Sequence, residues 1–104
     1  MRARRYSVLN LRTYARGKPC MVRLPCCNGN PETTVLAHVR LIGVSGMGIK
    51  SPDVCAAWAC SDCHDAIDGR ANVAGFEREF VRLAHLEGMV RTLDGLTKEG
   101  ILSW

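Results

Sequence analysis

The alternation of apolar and polar positions changes period along this chain, and each change marks an element. Residues 7–15 carry a weak helical pattern that Gly17-Lys18-Pro19 stops. No period holds across residues 20–31. Pro25, Asn28-Gly29-Asn30 and Pro31 are turn residues, so this stretch reads as a loop. Residues 33–42 are rich in β-branched and apolar side chains and predict a strand, and residues 54–59 predict a second, shorter one. The glycine-rich connection between them, residues 43–52, lacks the Gly-x-x-x-x-Gly-Lys-Ser/Thr spacing of a phosphate loop and reads as a hairpin loop. Ser61 is placed to cap a following helix, with Asp62 and Asp65 in its first turn, where the helix dipole favours acid, and Gly69 ends it. From Ala74 onward the period is helical again. Phe76, Phe80, Leu83 and Val90 fall on one face, with Arg78, Glu79, Arg82 and Glu87 between them. That pattern predicts a long amphipathic helix laid over the hairpin, weakened by Gly88 and Gly95 and broken near Gly95. Helix, knuckle, strand, loop, strand, helix, long helix is the order of a small α+β domain built around a ββα finger.

Composition adds the question of what holds so small a domain together. At 104 residues the chain predicts one domain, residues 20–104, preceded by a basic arm and short helix over residues 1–19. Domains of this size often need disulfides or a metal as staples, and six cysteines could supply either. No apolar run of signal-peptide length follows the basic N-terminus, and no stretch approaches the roughly 20 apolar residues of a membrane span. The expectation is a cytoplasmic protein with reduced thiols, where clustered cysteines usually mean metal.

The net charge of +4 is modest, but its distribution is uneven. Arg2, Arg4, Arg5, Arg12, Arg16, Lys18 and Arg23 all precede the first acidic residue, Glu32. Such an arm suits a polyanion; a solvated tail is the plainer alternative. Arg2, Arg4, Arg5, Arg12, Arg16 and Lys18 are therefore the candidate nucleic-acid contacts.

The cysteine spacing points to a closed structural zinc site. Cys60 and Cys63 form one thiolate pair at the standard spacing, and Cys20 with Cys26 or Cys27 forms the other. Cys27 is favoured, because Asn28-Gly29 directly after it makes the tight turn that aims a knuckle sulfur. Cys55 reads as a small buried hydrophobe. Four thiolates leave no open coordination position, so any chemistry must use other residues. His64 and Asp68 stand four apart on the second helix and share a face, as a pair able to hold a divalent cation such as Mg²⁺. His38, in the apolar run Val35-Leu36-Ala37-His38-Val39, is the candidate base that would deprotonate a water for attack on a phosphodiester. The plainer readings are a core histidine at 38, a first-turn helix residue or zinc ligand at 64, and a solvated carboxylate at 68. His85 has no evident partner and is left as structural, as are Trp58 and Trp104.

These residues carry a family resemblance. The chain resembles the HNH, or ββα-metal, endonucleases, and more narrowly the small phage and prophage nucleases of the YbcO type. The matching stretches are Ala15-Arg16-Gly17, residues 27–33, Leu36-Ala37-His38, Ala59-Cys60-Ser61, Cys63-His64-Asp65, residues 86–89 and Lys98-Glu99-Gly100. They span residues 12–102. The resemblance implies a zinc-stapled, treble-clef-like ββα-metal finger with flanking helices. It further implies that the protein is an endonuclease, with DNA as substrate and recombination proteins as possible partners. Two positions depart from the HNH pattern. The residue before the base is Ala37 rather than a metal-binding Asp or His. The asparagine that pins the hairpin loop is absent, and Asp53 is the candidate in its place. Ala37 favours a competing reading, a non-catalytic zinc module that binds DNA or protein. A c-type cytochrome, suggested by Cys60-x-x-Cys63-His64 with Met47 or Met89 as distal ligand, would need export, for which no signal segment is present.

Overall fold

Local hydrogen bonding explains where the first elements begin and stop. The computed structural model describes residues 10–41, 52–69 and 76–102. Helix α1, Leu11–Tyr14, starts where the Asn10 side chain accepts from the amides of Arg12 at 3.0 Å and Thr13 at 3.3 Å. It stops at Gly17, whose φ of +86° favours a residue without a side chain. Residues 20–30 form the expected loop. Asn30 then caps a single 3-10 turn, Pro31–Thr33, so Thr33 is not part of the strand it was expected to open. Strand β1, Val35–His38, pairs antiparallel with strand β2, Ala56–Ala59, and both are shorter than the apolar runs that predicted them. The expected hairpin loop falls largely on residues 42–51, outside the described residues.

The register divides the ribbon into two faces. Leu36 stands opposite Trp58 and His38 opposite Ala56 on one face; Val35 stands opposite Ala59 and Ala37 opposite Ala57 on the other. The first face packs Leu36, Ala56 and Trp58 against Leu11, Ala15 and Leu96. The second packs Ala37, Ala57 and Ala59 against Val22, Leu24, Cys60 and Cys63, with Ala66 and Ile67 beside them.

Helix α2, Ser61–Asp68, leaves the end of β2 at once. Its cap is Cys60 rather than Ser61: the Cys60 sulfur accepts from the Cys63 amide at 3.4 Å, and Ser61 is the first helical residue. Asp62 lies in the first turn, whereas Asp65 lies beyond it. Gly69 ends the helix in the left-handed region, φ +72°, as expected.

Helix α3, Arg78–Lys98, corrects the reading of the amphipathic pattern. It runs 21 residues without a break at Gly95. Phe80, Leu83 and Val90 are 48%, 56% and 61% exposed, so the stripe chosen as the buried face points outward. The buried face is His85, Gly88, Thr92 and Leu96. Small residues there let the helix axis come close to the ribbon. A side chain at Gly88 would begin 3.0 Å from the Val22 Cα, and one at Gly95 would begin 3.1 Å from the Trp58 ring. Thr92 uses its hydroxyl twice, accepting from the Trp58 amide at 2.9 Å and donating to the Gly88 carbonyl at 2.8 Å. The two glycines that weaken an isolated helix are thus what allow this one to dock.

Candidate functional site

Three groups of chemistry-bearing residues can be built up from these elements. The first is the thiol cluster. The chain turns sharply before Cys27, whose amide donates to the Leu24 carbonyl at 2.8 Å, and Arg23 sits at a left-handed φ of +59°. Asn28 anchors this knuckle to α2 through Ser61 Oγ at 3.0 Å. The sulfurs of Cys20, Cys27, Cys60 and Cys63 all lie within 4.8 Å of one another. They are the group of three or more candidate donors so assembled among the described residues. Cys26 stands outside it, with its thiol 3.8 Å from the Asp62 carbonyl. Cys55 is half-buried at the turn before β2.

The thiols cannot all ionise unaided. A hydrogen bond from Cys63 holds Cys20 down to about 4. The same bond, followed by burial, pushes Cys63 far up, and burial pushes Cys27 up to about 11. The shared hydrogen bond thus favours the thiolate at Cys20 and the protonated thiol at Cys63. A bound cation is what would let the rest lose their protons. The geometry suits one. A tetrahedral ion with bonds of about 2.3 Å sets its sulfurs about 3.8 Å apart, and Cys27 and Cys60 are 3.8 Å apart.

His38 belongs to the second group. It is the last residue of β1, and its Nε2 lies 2.7 Å from Asp53 Oδ1. Asp53, the residue singled out for the place of the missing asparagine, therefore holds the imidazole itself. Arg12 lies beside this carboxylate, 3.7 Å from the same oxygen.

The third group lies on α2. His64 Nε2 and Asp68 Oδ2 are 3.4 Å apart, on one helix face as their spacing predicts. Strand alternation separates this pair from His38, which stands on the ribbon face of Leu36 and Trp58, whereas α2 covers the face of Ala37. Sequence reasoning missed His85. It is buried and bonds the Ala37 carbonyl at 2.8 Å, and desolvation pushes its pKa down. The signal was its place on the small-residue stripe of α3.

The candidate nucleic-acid residues scatter. Arg2, Arg4 and Arg5 lie outside the described residues. Arg12 and Arg16 are exposed. Lys18 is engaged: its amine lies 2.6 Å from Glu99, which also takes the Tyr14 hydroxyl and is held below the usual carboxylate range by the lysine. Met89 is packed against the core, whereas Met47 and Trp104 fall outside the described residues and Trp58 is buried. Among the described residues, no helix is long and apolar enough to cross a membrane.

Known proteins resemble this chain over most of its length. The family model described as "Putative nuclease YbcO" matches residues 9–101. The protein of that name from Escherichia coli K12 is 52% identical over 96 residues, which cover 89% of this chain and 96% of the relative. A protein from Enterobacteria phage 82, also called "Putative nuclease ybcO", matches with the same figures. A solved structure described as "a putative bacteriophage protein" from Escherichia coli K-12 superposes with a TM-score of 0.74 at 46% identity. It covers 88% of this chain and all of that one.

Proposed function

Because this chain belongs to the family of proteins described as "Putative nuclease YbcO", we propose that it is a metal-dependent DNA endonuclease of the HNH type, acting in phage or prophage DNA processing. The observation that carries this reading is the His38–Asp53 pair. A neutral imidazole that donates Nε2–H to a carboxylate keeps Nδ1 as its basic atom. His38 Nδ1 would accept a proton from the attacking water, and Asp53 would orient the ring and stabilise the imidazolium that results.

The thiol cluster is read as a structural zinc site, for which four sulfurs are the preferred donor set. His64 and Asp68 are read as two donors to the catalytic cation. Neighbouring donors on bonds of about 2.1 Å sit about 3.0 Å apart, close to the observed 3.4 Å. Ala37 contributes no third side-chain donor, so water and the substrate phosphate would complete the shell. A divalent cation there supplies charge stabilisation to the phosphodiester and its leaving oxygen. The substrate would meet both groups by crossing the end of β1, where His38 faces one side of the ribbon and α2 lies against the other. On this reading residues 1–19 form the arm and residues 20–104 the zinc-stapled domain. Arg12 and Arg16, with Arg2, Arg4 and Arg5, add salt-sensitive affinity for phosphates.

Nicking of supercoiled plasmid in Mg²⁺ or Mn²⁺ tests the proposal. Wild type should nick, His38→Ala should lose about 10²-fold or more, and Asp53→Asn should fall between. Absence of nicking, or equal nicking by His38→Ala, would overturn it. One observation favours a non-catalytic DNA-binding zinc module: the base and the cation pair stand on opposite ribbon faces with Ala37 between them. A gel shift without nicking would decide for that reading.

A further inference from the structure

A cleft of about 790 Å³ opens between α2 and the first turns of α3. Its lining separates into a rim and a floor. Arg40, just past β1, and Arg78 and Arg82, one turn apart on α3, supply three exposed guanidiniums. Arg82 is steered toward Arg40 by the bond from its Nη2 to the Arg40 carbonyl, 3.5 Å. Ile67, Phe76 and Val81 supply an apolar floor. Phe76 is half-buried, packed against the core beside Val22 and Leu24 and edge-on to Phe80, ring centres 5.6 Å apart. Asp68, half of the proposed cation pair, lies at one margin.

Guanidiniums around an aromatic floor, in a volume typical of small-ligand sites, form a nucleotide-sized receptor rather than a generic basic surface. Arginines bind phosphate oxygens through paired donors. An apolar floor with a fixed ring gains from a nucleobase only if that base is unstacked and unpaired. Glu79 and Asp68 place negative charge in the same cleft. They oppose a dense run of phosphates and are compatible with one strand passing the arginine rim.

We infer that this cleft binds unpaired nucleotides of a single-stranded nucleic acid, with phosphates on Arg40, Arg78 and Arg82 and a base on the Phe76 floor. The inference deepens the nuclease reading and rests on it for its meaning: the substrate would be a strand, flap or junction exposing unpaired bases beside His64 and Asp68.

Fluorescence anisotropy without added divalent cation tests it. The probes are a labelled 12-nucleotide strand, the matching 12-base-pair duplex, and a strand of equal length carrying sugar and phosphate without bases. Wild type should bind the single strand at least about fivefold more tightly than either alternative, since base stacking on an aromatic ring is worth at least that much. The exposed pair Arg78→Ala/Arg82→Ala should weaken single-strand binding tenfold or more. It should also flatten the logarithmic salt dependence by about 1.4, about 0.7 for each phosphate contact removed. Retained affinity in the double variant, or duplex or base-free strand binding as tight as the single strand, would overturn the inference. Plasmid nicking by wild type reads the other proposal separately. Arginine-dependent single-strand binding without nicking would support the cleft and sink the nuclease. Nicking with unchanged binding in the double variant would do the reverse.

Discussion

The two faces of the ribbon are built on different physical terms. On the face of Leu36 and Trp58, large apolar side chains from α1, both strands and α3 interlock, with Trp58 only 1% exposed. On the other face the strands present Ala37, Ala57 and Ala59 to Val22 and Leu24, and five cysteines lie beside them, four of which form the thiol cluster. Alanine burial alone contributes little, about 0.8 kcal/mol for each carbon-sized group. The first face can hold itself by exclusion of water. On the proposed zinc reading, a metal would complete the second. One ribbon of eight residues thus joins a half packed around Trp58 to a half that contains a thiol cluster able to hold a metal.

The largest effect that could break this comparison is removal of the proposed zinc. One zinc per chain is expected by elemental analysis, and a strong chelator or Cys60→Ser should abolish the cooperative thermal transition, since structural zinc contributes on the order of 10 kcal/mol. Cys26→Ser should keep the metal. A metal-free chain that still melts cooperatively would show that both faces are packed alike. Next in size, Trp58→Ala should cost about 3–5 kcal/mol in denaturant unfolding while leaving zinc content unchanged. Gly88→Ala should cost about 1–3 kcal/mol, because the new methyl meets Val22 backbone at 3.0 Å and backbone cannot step aside.

The His85 ring should give a smaller, pH-dependent effect. Burial lowers its pKa from the ordinary 6.5. The unfolded chain therefore binds the proton more readily, and the contribution of this ring is complete above pH 6.5 and lost as pH falls through the folded value. Stability should decline below pH 6.5 with a slope of at most about 1.4 kcal/mol per pH unit from this group. In His85→Gln that part of the slope should vanish, as melting curves at several pH values would show. Smallest of all, Leu83→Ser should change stability by less than about 0.5 kcal/mol, although Leu83 was a marker of the expected buried face. A loss of several kcal/mol there would mean that the outward stripe is covered after all.

The difference between these faces also explains what the sequence could disclose. Thiol clusters follow spacing and turn geometry, so the gathering of Cys20, Cys27, Cys60 and Cys63 was legible, as were Gly69 as a helix stop and the i, i+4 pairing of His64 with Asp68. The docking face of α3 was not. Periodicity arguments assume that large apolar residues go inward, whereas this helix approaches so closely at Gly88 and Gly95 that a side chain there would meet Val22 or Trp58 at about 3 Å. Phe80, Leu83 and Val90 stand on the outside, while Leu96 is buried with Trp58. A small-residue stripe at 88, 92 and 95 was the signal available. The bond from His85 to the Ala37 carbonyl was out of reach, because it joins residues 48 positions apart through an unpatterned backbone acceptor. The side of the ribbon on which His38 stands was likewise hidden until the register was known, since a shift of one residue reverses it. Asp53 was legible as a stand-in for the missing asparagine, but its hold on the imidazole required the fold.

Cys60 directly follows β2, caps α2 through its sulfur and belongs to the thiol cluster. Two jobs on one sulfur leave no partial way to release it. A metal held there could not slip out through a local opening, because freeing the sulfur also uncaps the helix. Exchange of bound zinc for an added isotope should then proceed at the rate of global unfolding, which makes the ion a clock for the lifetime of the fold.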